Sequence, residues 1–211
     1  MKKETTNFAL FCYGGDIESL NRIADVLEDN YKRITRILGV VPSKKTHVHI
    51  YASQNDFHRA INRPNAESWV VGTVLEGEIH MVSPHSLEPE YDNDDIMKVA
   101  VHEFVHIVAE ELSLHTTDKR LYLAEGLATY LAGQESQLDM DMEIPNVEKI
   151  ISSCQGDLVY QVGFVFMRFI VSKFDNAGLV ALYKDPDGFI KDNDGVNEMW
   201  LSECRLLLRQ L

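Results

Sequence analysis

The sequence predicts an α+β protein in which an N-terminal α/β lobe over residues 1–112 is followed by a mainly helical lobe over residues 113–211, the two making one domain. Three observations carry this. Period-two and short apolar segments fall before residue 83 and helical periods dominate after residue 95. No internal repeat or low-complexity linker divides the chain. A composition of 45% hydrophobic and 25% charged residues in 211 is that of an ordinary globular protein.

Taken in order, Thr6 to Tyr13 is rich in Phe and Leu and ends at Gly14-Gly15, so it reads as a buried strand closed by a turn. Asp16 can cap a helix whose apolar positions Ile17, Leu20, Ile23, Ala24, Leu27, Tyr31, Ile34, Ile37 and Leu38 keep a helical period until Gly39 and Pro42. Thr46 to Ala52 sets His47, His49 and Tyr51 against Val48, Ile50 and Ala52, a half-buried strand. The two histidines then face away from the core and are given no metal role. Ser53 caps a short helix to Ile61, ahead of Pro64. Trp69 to Leu75 and Glu78 to Val82 are two strands around Gly77. Glu88 to Asp95 is an acidic loop leading into a helix whose dipole favours that charge. Helices are then expected over Ile96–Leu112, Arg120–Leu131, Val147–Ser153, Val159–Phe174 and Val196–Leu211. Asp185-Pro186-Asp187-Gly188 and Asp192-Asn193-Asp194-Gly195 place glycine at the fourth position, not the sixth of an EF-hand loop, and are expected to be turns.

With 20 Lys+Arg against 33 Asp+Glu the net charge is −13, which repels a phosphate backbone and argues against nucleic acid as a partner. No apolar run approaches the roughly 18 residues of a membrane-spanning helix. The six apolar residues after Glu4 to Asn7 are too few for a secretory signal. Cys12, Cys154 and Cys204 are odd in number and form no CxxC pair, which suits a reducing compartment. A cytoplasmic protein is expected, in which histidine and carboxylate would have to hold any metal.

Residues 102–106 are His-Glu-Phe-Val-His within an apolar helical segment. At this spacing His102 and His106 lie one turn apart on one helix face and can share a metal ion. Glu103 is placed to deprotonate a water in the ion's open position. A catalytic zinc needs a third protein ligand as well. Glu125 meets that need, because it stands in the apolar stretch Tyr122 to Tyr130, where a carboxylate without a partner is expensive. The bland alternative, an ion pair with Lys119 or Arg120, requires side chains five or six residues back that point elsewhere on a helix.

HExxH, 18 intervening residues and Glu in an xLxEGxAxY context resemble the gluzincin zinc metallopeptidases. The spacing is close to thermolysin's, and the EGLATY wording is similar to small bacterial peptidase MA-like proteins. The likeness covers about residues 70 to 211. It implies a zincin-like fold: a mixed sheet with an edge strand bordering the cleft, an active-site helix carrying His102, Glu103 and His106, and a helical lobe beginning with the Glu125 helix. It further implies zinc as cofactor, Gly126 as a site of close helix packing, and Thr129 as a residue supporting a histidine ligand. The edge strand is expected at Glu78 to Val82, with an extended peptide pairing against it. Tyr122 replaces the tryptophan usual in this motif, and no GxMEN-type sequence precedes HExxH, which argues against an aminopeptidase and favours an endopeptidase. Peptide deformylase, which shares HExxH, takes its third ligand from an upstream cysteine in a motif that Cys12 lacks. Related proteins often carry a tyrosine at the start of the helix that here begins near Tyr160. A neutral phenol can donate a hydrogen bond to the oxyanion without competing for metal. Tyr160 is therefore the expected oxyanion donor, with Tyr130 a further contender. The function expected is hydrolysis of peptide or protein substrates; the alternative is a non-catalytic metal- or peptide-binding module with a degenerate gluzincin fold.

Overall fold

Among the described residues the N-terminal half builds five strands: β1 (Lys2–Glu4), β2 (Phe8–Cys12), β3 (Thr46–Tyr51), β4 (Gly72–Leu75) and β5 (Glu78–Val82). They form one mixed sheet in the order β1-β2-β3-β5-β4. The computed structural model describes residues 1–87, 93–112, 120–139, 142–153 and 158–209. Those residues fall into two compact units, Met1–Glu111 and Leu112–Leu211. The protein is thus α+β, with its sheet in the first unit.

Register explains the sheet's two faces. Leu10 pairs with Val48 and Cys12 with Ile50, then Val48 with Ile79 and Ile50 with Met81, so one row of apolar side chains runs across the strands. All of these are buried. Helices α1 (Ile17–Leu38), α2 (Gln54–Ala60) and α3 (Asn93–Leu112) complete the unit. Asp16 caps α1 by accepting from the Ser19 N–H at 3.0 Å, and Gly39 closes it at φ 71°. Of the apolar stripe of α1, Leu20, Ile23, Ala24, Leu27, Ile34 and Leu38 are buried, Tyr31 and Ile37 are half-buried, and Ile17 in the first turn is exposed. Phe8 of β2, Tyr31 of α1 and Phe104 of α3 meet in an aromatic cluster, with ring centroids 5.0–5.9 Å apart.

The opposite face carries Phe11, Tyr13, His47, His49, Tyr51, Glu78 and His80. As alternation predicts, His47, His49 and Tyr51 are half-exposed while Thr46, Val48 and Ile50 are buried.

The edge-strand expectation for Glu78 to Val82 is overturned. β5 pairs parallel with β3 and antiparallel with β4, so it is internal and both its edges are taken. Glu76 (φ 54°) and Gly77 (φ 76°) make a two-residue hairpin with positive φ at both positions, which fits the strands' twist. That hairpin turns β5, with buried Ile79, Met81 and Val82, toward the middle of the sheet and leaves the shorter, half-exposed β4 outside. β1 was not anticipated; it pairs antiparallel with β2 at the other edge.

In the second unit α4 (Leu121–Ala132) packs on α6 (Val159–Lys184). Gly126 and Gly163 make this possible: a β-carbon on either would come within 2.7 Å of the other's backbone. Trp200 of α8 (Val196–Leu208) is fully buried against Phe166 and Phe169, and its indole N–H donates to the Pro145 carbonyl at 2.8 Å. The short α5 (Val147–Ser152) is capped by Asn146.

Helix α6 is expected to end at Phe174. Asp175 does interrupt it, at φ 56° and ψ −165°, but a second helical stretch continues to Lys184 because the Asp175 carboxylate accepts from the Ala177 N–H at 2.6 Å. The turn expected at 185–188 is instead the start of α7 (Pro186–Asp192): Asp185 caps it through the Gly188 N–H, and Pro186 occupies the first turn. The acidic loop expected at 88–95 lies outside the described residues as far as 92, and Cys154 lies outside them too. Among the described residues, no helix is long and apolar enough to cross a membrane.

Candidate metal centre

Helix α3 is apolar on nearly all sides, burying Ala100, Val101, Phe104, Val105 and Val108. Two imidazoles interrupt that surface. His102 is buried and His106 half-buried, and four residues of helix bring their Nε2 atoms to 3.1 Å with ring centroids 4.8 Å apart. Two nitrogens each about 2.0–2.1 Å from one tetrahedral zinc ion stand about 3.3 Å apart, so the pair can share an ion almost without moving. The donor chemistry of this face therefore fits a transition metal.

Glu103, next along the helix, is 7% exposed. Its Oε1 lies 3.1 Å from where a β-carbon on Gly72 would stand, and Val99 Cγ1 lies 2.5 Å from the same point. The glycine lets the outer strand β4 pass close over α3 at Glu103. The sequence alone does not single out Gly72; a glycine opening a strand signals close backbone approach, which is the signal that points to it.

Glu125 is half-buried on α4 of the second unit, one position before the Gly126 contact with α6. Arg120 is engaged elsewhere, its guanidinium 2.9 Å from Asp187, and Lys119 is outside the described residues. On the same helix Thr129 is 3% exposed, and its hydroxyl has no hydrogen-bond partner among the described residues. Tyr160 lies in the first turn of α6 and is 41% exposed, while Tyr130 is half-buried on α4 beside Phe164, 6.0 Å between centroids. His102, Glu103 and His106 thus stand together on one helix of the first unit, and Glu125 and Tyr160 belong to α4 and α6 of the second.

A further set of histidines occupies the solvent face of the sheet. Glu78 reaches His47 Nδ1 with one carboxylate oxygen and His49 Nε2 with the other, each at 2.8 Å. Partial burial works against ionisation of Glu78, but the hydrogen bonds from His49 and His47 outweigh it and hold the carboxyl below its usual range. Burial and the neighbouring His49 lower the pKa of His80, whose Nδ1 is 2.8 Å from the Tyr51 hydroxyl. Burial foremost pushes that Tyr51 phenol up to about 12.

No protein-family model matches the chain, and comparison with curated proteins gives no significant match.

Proposed function

We propose that the chain is a zinc-dependent peptidase of the gluzincin type with a zincin-like fold, acting in the cytoplasm on peptide or protein substrates and cutting within the chain. The observation that carries this reading is the paired Nε2 atoms of His102 and His106 at 3.1 Å on α3, with the buried Glu103 between them in sequence. The distal Glu125 motif supports it from the sequence side. His102, His106 and Glu125 would hold the zinc, which when bound supplies Lewis acidity toward the scissile carbonyl and toward water.

The remaining work falls to the chain's own groups. Glu103 takes the proton from the attacking water and passes it to the leaving amine. Its burial keeps bulk water from competing for that proton. An extended substrate adds to the free edge of β4, where backbone hydrogen bonds bind it with little dependence on side chains. The closeness of Gly72 to Glu103 supports that placement. Tyr160 donates its phenol hydrogen bond to the developing oxyanion. The free thiols of Cys12 and Cys204 agree with a reducing compartment.

The test pairs metal analysis with a peptide-library digest. His102→Ala and His106→Ala should each hold about one zinc fewer per chain than wild type, since a catalytic site has only three protein ligands. Glu103→Gln should keep the metal and lose about 10²–10⁴-fold in turnover, the range of general-base catalysis. Full zinc occupancy in both histidine variants, or equal cleavage by Glu103→Gln, overturns the reading.

A further inference from the structure

The sheet's solvent face holds a second group of metal-ligating side chains, independent of α3 and of the peptidase reading. We infer that His47, His49 and Glu78 form a site for a divalent transition-metal ion of the zinc type, bridging β3 and β5. Their donor atoms all lie within 4.8 Å of one another. Strand alternation puts His47 and His49 on one face, and Glu78 already reaches both at 2.8 Å. Ligands of one tetrahedral ion stand about 3.3 Å apart, so the two Glu78 contacts open by about half an ångström and the widest separation, no more than 4.8 Å, closes to the same value.

The histidines are prepared for the exchange. His49 is held between the Phe11 ring, 5.2 Å away and 12° from parallel, and the His80 ring at 4.7 Å and 14°. Its Nδ1 is 2.8 Å from the Tyr13 hydroxyl, a group that can donate or accept. With Nε2 donating to Glu78, the phenol donates to Nδ1. With Nε2 on a metal, the ring proton moves to Nδ1 and the phenol oxygen accepts it, so the imidazole stays neutral and its orientation is kept. His47 can make the same change, carrying its proton on Nε2 when Nδ1 ligates. Its side chain is 45% exposed, which leaves a path for the ion and room for water in the remaining position. Two imidazoles and one carboxylate select zinc and its neighbours over calcium or magnesium, which prefer oxygen.

The probe is zinc ion alone, titrated by equilibrium dialysis into the intact chain carrying His102→Ala and His106→Ala, a background without the α3 ligands. One zinc per chain should still bind. Adding His49→Gln, or separately the isosteric Glu78→Gln, should weaken that binding at least about tenfold, as loss of a ligand must when loss of a mere supporting group costs 10–100-fold. In the background variant, the imidazole NMR signals of His47 and His49 should shift together as the first equivalent is added. Circular dichroism checks that each variant folds, and Glu78→Gln decides if His49→Gln does not. No binding to the background variant, or binding that Glu78→Gln leaves unchanged, overturns the site. Neither result bears on whether α3 holds a catalytic metal.

Discussion

A single methyl group added at Gly126 tests the α4–α6 contact. The new β-carbon of Gly126→Ala would lie 2.7 Å from the Cα, carbonyl carbon and oxygen of Gly163, against 3.4–4 Å for ordinary contact. These are backbone atoms, so no side chain can rotate away, and the helices must part by about 0.7–1 Å. Overpacking of this kind costs about 1–3 kcal/mol, and the upper half of that range applies because the obstacle is backbone. Against it stands the gain of alanine over glycine in a helix interior, about 0.8–1 kcal/mol. The net is about 1–2 kcal/mol of destabilisation. At about 2–4 °C per kcal/mol for a chain of this size, the melting temperature should fall by about 2–8 °C in a thermal scan followed by circular dichroism. Gly163→Ala meets Gly126 Cα at the same 2.7 Å and should behave alike. On an unpacked helix the same change raises stability, so the sign alone decides. A Gly126→Ala protein as stable as wild type would refute the close packing.

Other perturbations follow from the geometry. Gly72→Ala would drive a β-carbon against Val99 Cγ1 at 2.5 Å and Glu103 Oε1 at 3.1 Å; Val99 is β-branched and has little freedom to turn in a helix. Peptidase turnover should therefore drop while zinc content holds, and unchanged kcat would show that β4 does not crowd the base. Asp16→Ala should cost about 1–2 kcal/mol as the loss of a helix cap, because Ser19, Ser83 and His85 all donate to that carboxylate. Partial burial of Asp16 works against its charge, but the hydrogen bonds from Ser19, Ser83 and His85 prevail and hold its pKa well below normal. Its stabilisation is thus complete above the ordinary aspartate pKa near 4 and fades as pH falls below that value. Urea midpoints of wild type and variant should converge in acid; a gap constant from pH 6 to pH 2 would refute this. Tyr160→Phe should keep zinc and substrate affinity but lower turnover about 10²–10³-fold if the phenol supplies an oxyanion contact, and unchanged kcat would remove it from the mechanism.

Local signals in the sequence carry much of this structure. The alternation of Thr46–Tyr51 sorts its residues onto the two faces, Asp16 and Gly39 bound α1, and His102 and His106 lie on one face because helical geometry leaves no other outcome. What stays hidden depends on partners. Whether Glu78–Val82 is inner or outer depends on which side of the hairpin joins β3, a choice that neither strand's own residues state. Nothing near His47 announces that Glu78, 31 residues on, will span both histidines. Three charged residues, Lys2–Glu4, are too few to show a strand period, so β1 needed β2 to be visible. The start of α7 is legible in Asp185-Pro186, since an aspartate followed by proline is a capping pattern.

The placement of β5 inside β4 also divides the sheet's pairings by the length of chain each must close. A two-residue hairpin such as β4–β5 closes within about 1–10 microseconds, because its partners are neighbours in the chain. The parallel pairings of β2 with β3 and β3 with β5 must first close loops that contain whole helices, and such long-range pairing is slow. Joining the β3–β5 seam therefore costs more chain entropy than closing the hairpin. His47, His49 and Glu78 straddle that seam. An ion bound there would act as a latch on the costlier joint of the sheet, opposing the parting of β3 from β5.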